Sequence, residues 1–483
     1  MEKSSRSLRV AFIHPDLGIG GAERLVVDAA LGLQKLGHYV DIYTSYHDPY
    51  HCFEETKDGT LRVYHVVPPF PRSFKGKFHI LFAHLRQLHL MTDLLSPGAP
   101  TYDVYFVDQL STCIPLLRLL GHTRVVFYCH FPDKLLANGA FVEGNLVKKK
   151  TSFLKWVYRL PMDWLEETTT RQADVILANS KFTARVSKSY FPSIKQTLRV
   201  VYPGINISAY MSPINLTDED IMEITSQRRT LLSLNRFEGK KNILLALKAF
   251  ALVRNRVSDT TRLRLVLAGG YDPRLEDNVN TLRQLIQYVN TASLTFYVTT
   301  PGNLPETFNV GPQHVKSDPD VLFVLNFTTA QRTALLRDPN TLALLYTPAN
   351  EHFGIVPVEA MACGVPVLAC DSGGPTESIL SSPSYSKAER TGWLKQPDPE
   401  VWADALTEIV SLSPNERSAM SVRAKERATA LFGMEAMAKG LEEALFEAVE
   451  MGRVDSWALT VVVMLVGFMI AYLVGPFILP AAS

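Results

Sequence analysis

Glu351 and Glu359 flank Gly354 with seven residues between them, in the run Tyr346-Thr347-Pro348-Ala349-Asn350-Glu351-His352-Phe353-Gly354-Ile355-Val356-Pro357-Val358-Glu359. A carboxylate can accept from two vicinal hydroxyls at once, so two carboxylates at opposite ends of one turn could hold a sugar at one end and a ribose at the other. Gly354 and Ile355 open a helix between them, where backbone N–H groups face a ligand. Arg236 and Lys241, in Asn235-Arg236-Phe237-Glu238-Gly239-Lys240-Lys241-Asn242, are cations suited to a departing pyrophosphate, although a basic turn in solvent has the same composition. His130 follows the apolar run Val125-Val126-Phe127-Tyr128; a polar side chain there faces a cleft or caps a local loop. His14, before Pro15, holds a similar place and is given no catalytic role. Gly18-Ile19-Gly20-Gly21-Ala22-Glu23 is a glycine-rich turn opening a helix, a shape that accepts an anion on backbone N–H groups. Glu23 stands where a dinucleotide fingerprint has its third glycine, whereas Asp41 lies at a suitable distance for a ribose; a nicotinamide site and a structural turn both stay open for this loop.

These residues need strands to carry them. Short, continuously apolar runs begin at Leu8, Tyr39, Val104, Val125 and Val175, and again at Leu231, Leu263, Val321, Leu342 and Val365, with helical runs interspersed. Continuous rather than alternating apolarity suits a parallel sheet covered on both faces. The expectation is an α/β protein of two Rossmann-like doubly wound domains facing a cleft, where strand carboxyl ends gather ligands. The boundaries predicted are an N-terminal Rossmann-like domain over 1–205, a linker over 206–229, a C-terminal Rossmann-like domain over 230–430, a helix over 431–455 and a transmembrane anchor over 456–479. Asp371-Ser372-Gly373-Gly374-Pro375 forms a second small-residue loop at the same edge, read as donor lining or as a plain turn.

The 483 residues exceed one ordinary core, and 49 basic against 48 acidic side chains exclude a global attraction to nucleic acid. Five scattered cysteines without a CxxC pair read as free thiols in a reducing compartment. No signal peptide is expected at the start. Residues 457–479 are 23 consecutive uncharged positions, enough to span a bilayer as one helix, and Arg453 before them leaves the body on the cytosolic side. The sequons at Asn206, Asn215 and Asn326 would then go unused. Over residues 74–95, Phe78, Leu81, Phe82, Leu85 and Leu88 recur at helical spacing among basic residues, which fits a membrane-interface helix or one packed on its own domain.

Together these segments, in this order, resemble the family-4 retaining glycosyltransferases of the GT-B fold. His14-Pro15-Asp16-Leu17-Gly18-Ile19-Gly20-Gly21-Ala22-Glu23-Arg24, Tyr128-Cys129-His130-Phe131-Pro132-Asp133 and the C-terminal apolar run look more narrowly like the mannosyltransferases of the dolichol pathway. That resemblance implies GDP-mannose as donor, no metal cofactor, and a dolichyl-pyrophosphate-linked Man1GlcNAc2 acceptor that receives α-1,3- and then α-1,6-linked mannose. It implies Arg236 and Lys241 on the diphosphate, Glu359 on the ribose, and Glu351 with the Gly354-Ile355 backbone at the mannose. His130 would approach from the acceptor domain, and Gly20 and Gly21 would lie near the diphosphate or the acceptor. It further implies the endoplasmic reticulum membrane, with the catalytic domains facing the cytosol, and other glycosyltransferases of the same pathway as partners. Asp218/Asp220 and Asp318/Asp320 mimic the metal motif of the other glycosyltransferase fold and are read as chance pairs. A nucleotide-sugar binder without catalysis, a dehydrogenase, and a glucosyl or N-acetylglucosaminyl donor are the competing readings.

Overall fold

The computed structural model describes residues 6–142, 145–148, 153–256, 263–300 and 313–454. The predicted anchor over 456–479 lies outside them; among the described residues, no helix is long and apolar enough to cross a membrane.

The first half carries β1 (Arg9–His14), β2 (Tyr39–Thr44), β3 (Arg62–His65), β4 (Val104–Asp108), β5 (Arg124–Cys129), a two-stranded hairpin of β6 (Gly139–Val142) and β7 (Asn145–Lys148), β8 (Val175–Ala178) and β9 (Arg199–Val200). Apart from the hairpin, these strands form one parallel sheet in the order β3-β2-β1-β4-β5-β8-β9. The second half carries β10 (Arg229–Leu234), β11 (Leu263–Gly269), β12 (Phe296–Thr299), β13 (Val321–Leu325), β14 (Thr341–Tyr346), β15 (Val367–Cys370) and β16 (Gly392–Lys395). They form a parallel sheet in the order β12-β13-β11-β10-β14-β15-β16. Residues of β4, β8, β11, β13, β14 and β15 are buried throughout, as continuous apolar runs between two helical layers require.

In each sheet the chain order reverses beside the first strand: β1 sits between β2 and β4, and β10 between β11 and β14. Loops leaving such neighbours run to opposite faces, which opens a crevice at their carboxyl ends. Thus the loops after β1 and β4, and after β10 and β14, are the expected ligand loops.

The link between the halves is a double crossing. Ile205 N–H donates to Phe432 O at 2.9 Å and Met434 N–H to Ile205 O at 3.0 Å, so the forward and returning segments pair. The helix Pro414–Phe432 lodges Met420, Ala424, Ala428 and Phe432 in the second domain's cores. Beyond Gly433 the helix Met434–Glu450 returns to the first domain and buries Met437, Leu441, Ala444, Leu445 and Ala448 in its core. That spacing is one helical stripe, and each large side chain buried contributes on the order of 1.5–3 kcal/mol. Within the predicted 431–455 segment the helix runs Met434–Glu450 and packs on the first domain, and Gly433 bridges Ile205 at the crossing.

The helix His79–Leu94 turns a different face inward from the stripe its apolar residues mark. His84, Arg86, Gln87, Leu90, Met91 and Leu94 are buried, while Leu81, Phe82, Leu85 and Leu88 stay half-exposed and Phe78 is exposed. Partners of the buried polar groups explain the inversion: Arg86 donates to Asp16 and Ser45 O, Gln87 to Leu110 O at 2.6 Å, and His84 meets Thr112 Oγ1 at 2.5 Å. Periodicity reads apolarity alone and misses a helix anchored by hydrogen bonds.

Candidate active site

On the second sheet, Lys241 and Glu351 come from the two loops of the switch point and meet, with Lys241 Nζ donating to Glu351 Oε2 at 2.6 Å. Lys241 ends a short helical turn, Gly239–Lys241, and its carbonyl accepts from Thr347 Oγ1 at 2.6 Å, tying the β10 loop to the start of the β14 loop. Burial would raise the Glu351 carboxyl, but the Lys241 ammonium prevails and holds it below the usual value, so it stays ionised. Arg236 is open to solvent, at 63% exposure, and pairs within its own loop with Glu238 at 3.1 Å. A guanidinium held by one neighbouring carboxylate at the surface keeps donors for a ligand.

The Glu351 turn is set from beneath. Gly354 caps the helix Ile355–Ala362 at φ +85°, a left-handed conformation that glycine adopts without strain. Gly374 N–H donates to Glu351 O at 2.8 Å. A Cβ on Gly373 would lie 2.4 Å from Glu351 O, and one on Gly374 2.3 Å from the Phe353 Cα. The loop Asp371-Ser372-Gly373-Gly374-Pro375 is thus a backbone platform for the Glu351 turn.

Glu359 lies one helical run further on, 6% exposed. Tyr210 Oη at 2.6 Å and Arg332 Nη1 at 3.1 Å both donate to its Oε1, which leaves Oε2 for another donor. Burial pushes this carboxyl above its ordinary value despite the Arg332 charge and the Tyr210 hydrogen bond. Neither partner was legible in the sequence: Tyr210 belongs to the predicted linker, and Arg332 lies in the helix Thr329–Arg337 without a motif. Three of the four carboxylates in the acidic pairs have partners of their own. Arg228 meets Asp318 at 3.6 Å and Asp320 at 3.0 Å, and Asn215 holds Asp218.

On the first sheet, three adjacent strands end in a linked set. Asp108, the last residue of β4, accepts from His130 Nε2 on Oδ1 and binds His14 Nδ1 through Oδ2, both at 2.8 Å. Burial works against the charged carboxylate, yet the two imidazoles bring Asp108 down to about 2. His130 is raised above its ordinary value against burial, because the Asp108 carboxylate favours its proton. The glycine loop opens the first helix of this domain. Gly20 is extended, at φ −169°, and caps the helix Gly21–Lys35, but the Glu23 carboxylate folds back to within 2.2 Å of where a Gly20 Cβ would stand. An anion of the chain's own already occupies this helix start, which disfavours a diphosphate there.

The two edges are joined. Phe131 stacks on His352 with centroids 3.8 Å apart and planes 8° from parallel, and Ser180 Oγ donates to His352 O at 2.5 Å. Burial and the nearby Lys241 charge take His352 down to about 4, so the stacked ring is neutral. Glu377 of the second domain accepts from Lys181 N–H at 2.8 Å and Phe182 N–H at 2.7 Å, capping a first-domain helix, and from Tyr202 Oη at 3.0 Å. Hence His130 and Glu351, each one residue from the Phe131–His352 stack, face the same cleft. A cavity of about 570 Å³ between Arg9, Gln34, His38 and Arg62 lies at the opposite, amino edge of the first sheet and involves none of these groups.

Two Rossmann-like domains with facing carboxyl edges, one bearing a cation–carboxylate pair and the other a histidine, define a glycosyltransferase of the GT-B fold. Solved structures share that fold. Sucrose-phosphate synthase from Thermosynechococcus elongatus superposes with a TM-score of 0.65 over 92% of this chain and 100% of that one, at 19% identity. The catalytic domain of starch synthase IV from Arabidopsis thaliana, bound to ADP and acarbose, gives 0.64 over 92% and 100%, at 14% identity. The family model Glycosyltransferase Family 4 matches residues 19–209, and Glycosyl transferases group 1 matches residues 319–427. The Alpha-1,3/1,6-mannosyltransferase ALG2 of Rhizomucor pusillus is 45% identical over 92% of both chains, and that of Saccharomyces cerevisiae 40% identical over 92% of this chain and 85% of its own. The chain belongs to the alpha-1,3/1,6-mannosyltransferase family and is an enzyme of the glycosyltransferase class.

Proposed function

We propose that this enzyme transfers mannose from GDP-mannose with retention of configuration, first by an α-1,3 and then by an α-1,6 linkage, onto a dolichyl-pyrophosphate-linked Man1GlcNAc2. The observation that carries the reading is the Lys241–Glu351 pair at the switch point, across the cleft from His130. Arg236 and Lys241 neutralise the charge that grows on the departing diphosphate, the largest electrostatic demand of the reaction, so the reading calls for no resident metal. Glu351, ionised and pinned by Lys241, aligns the mannose with the Gly354-Ile355 backbone instead of attacking it. A retaining glycosidase would use such a carboxylate as nucleophile; here the acceptor hydroxyl enters on the face the diphosphate leaves and passes its proton to that phosphate. Glu359, with Oε2 available, takes the ribose hydroxyls. Gly20 and Gly21 border the acceptor side, because Glu23 repels a diphosphate from that helix start.

A lipid acceptor places the work at the cytosolic face of the endoplasmic reticulum membrane, beside other glycosyltransferases of the pathway. Residues 456–479 supply the single-pass anchor in this reading. A surface of exposed Phe74, Phe78, Trp156 and Trp164, with Arg72, Lys75 and Lys77 nearby in the chain, suits the headgroup boundary. The test is incubation of the membrane-reconstituted full chain with GDP-mannose, and separately with UDP-sugars, plus the dolichyl-type acceptor, followed by linkage analysis. Sequential α-1,3 and α-1,6 mannose from GDP-mannose is expected; transfer only from UDP-sugars overturns the assignment.

A further inference from the structure

The sequence reading singled out His130 and left His14 and Asp108 without a role, yet the three form one unit. β1, β4 and β5 are adjacent, with Ile13 opposite Val107 and Asp108 opposite Tyr128, so their carboxyl ends deliver His14, Asp108 and His130 side by side. Asp108 and His14 are each 1% exposed, whereas His130 is 23% exposed. Oδ1 of the buried carboxylate meets His130 Nε2, and Oδ2 meets His14 Nδ1. His14 Nε2 is buried without a hydrogen-bond partner among the described residues. A carboxylate this deep is costly unless cationic or N–H partners face both oxygens. His130 is the member of the set that opens toward the cleft.

We infer that Asp108 is a positioning residue for the transfer: it fixes the proton of His130 on Nε2 and favours the imidazolium, so that His130 Nδ1–H is presented to an oxygen of the substrate as a charged donor. The argument rests on the reading of this cleft as the transfer site. The His130 backbone is held by Asn179 Nδ2, which donates to its carbonyl at 2.9 Å, and its ring meets that of Tyr128 edge-on at 5.2 Å. The charged groups around it act in both senses. Asp108 on β4 and Glu23 on the helix Gly21–Lys35 favour its proton. His14 on β1 competes for Asp108 through Oδ2, and His352 across the cleft feels the His130 charge as repulsion, which helps keep that ring neutral. A hydrogen bond from a charged donor is roughly twice as strong as one between neutral groups. Placed near the leaving diphosphate or the mannose hydroxyls, it strengthens as negative charge develops.

Asp108→Asn keeps the shape and removes the charge. The full chain carrying it should show kcat for mannose transfer reduced on the order of 100-fold at pH 8 and much less at pH 6, because activity falls as pH rises through the lowered His130 pKa. The KM for GDP-mannose should change by less than about threefold, since binding of the nucleotide lies on the other domain. A uniform loss at both pH values, with the alkaline limb unmoved, would assign Asp108 a merely structural role and overturn the inference. Should the variant fail to fold, wild-type protein labelled with 15N-histidine answers the question directly, with His130 assigned by the signal absent in His130→Asn. His130 should keep Nε2 protonated throughout and titrate above the ordinary histidine value; an Nδ1–H tautomer, or titration at or below that value, sinks the proposal. This measurement needs no substrate, so it separates failure of the proton arrangement from failure of the GDP-mannose assignment.

Discussion

The two carboxyl edges share a topology and differ in charge and openness. At the first edge one buried carboxylate gathers two imidazoles, and the ionisable groups meet each other. At the second edge the groups are cations: Lys241, 14% exposed, pairs with Glu351, and Arg236 stands in solvent. A parallel sheet's switch point is therefore a scaffold without a fixed chemistry. The second edge keeps positive charge accessible at Arg236, while the first locks its histidines in a low-dielectric network. The Phe131–His352 stack and the Glu377 cap fasten one to the other.

Removing the charge of the second edge should break this contrast most severely. Lys241→Ala should lower kcat on the order of 100–1,000-fold, while the unpaired Glu351 costs only roughly 1–3 kcal/mol of stability; kinetics beside thermal melting reads both. Equal collapse of activity and fold would show that the pair is structural.

Gly373→Ala tests position without touching charge. Gly373 has φ +70°, and the added Cβ would push on the Glu351 carbonyl. A displacement near 1 Å should lower kcat about 100-fold, with a melting temperature depressed by left-handed strain of roughly 1–2 kcal/mol. A variant with wild-type turnover would show that Glu351 need not be held so closely.

Glu377→Ala should loosen the join between the edges. Two helix N–H groups and the Tyr202 hydroxyl lose their acceptor, at a cost of about 1–2 kcal/mol, with catalytic efficiency down about 10-fold through a less populated closed form. Small-angle scattering should register a larger radius of gyration; an unchanged radius would assign closure to the aromatic stack and the Ser180–His352 hydrogen bond.

The smallest effect is on acid stability. Asp108 is depressed to about 2, so its contribution is present above the unfolded-state value near 3.9 and is lost as pH falls through the folded one. Asp108→Asn should flatten the acid limb of the unfolding midpoint between about pH 4 and 2 and leave the midpoint above pH 5 with little pH dependence from this site. A wild-type acid limb in the variant would place the titrating carboxylate elsewhere, with Glu351, also depressed, as the first alternative.

Much of this was readable along the chain because the signals are local. Apolar runs, the glycine-to-helix turn at Gly354 and the basic loop after β10 each occupy a dozen residues or fewer, and strand–turn–helix order follows from them. Two segments whose alternatives the sequence leaves open turn on tertiary contacts. The Glu23 carboxylate folds over Gly20 at the glycine loop, and over residues 74–95 buried hydrogen bonds turn His84, Arg86 and Gln87 inward while the apolar stripe stays half-exposed. In both, a side chain's partner outweighed the pattern of types.

The sequence by itself determined which residue types stand at the ends of strands, and hence that a sugar-nucleotide chemistry was available. Tertiary structure alone decided the pairings: Lys241 with Glu351 across 110 positions, Tyr210 with Glu359 across 149, and Lys181 with Glu377 across 196. The physical reason is that such contacts depend on strand order and on the twofold crossing at Ile205 and Gly433. Both are set by how two covered sheets bury their apolar faces, and no short stretch of chain records either.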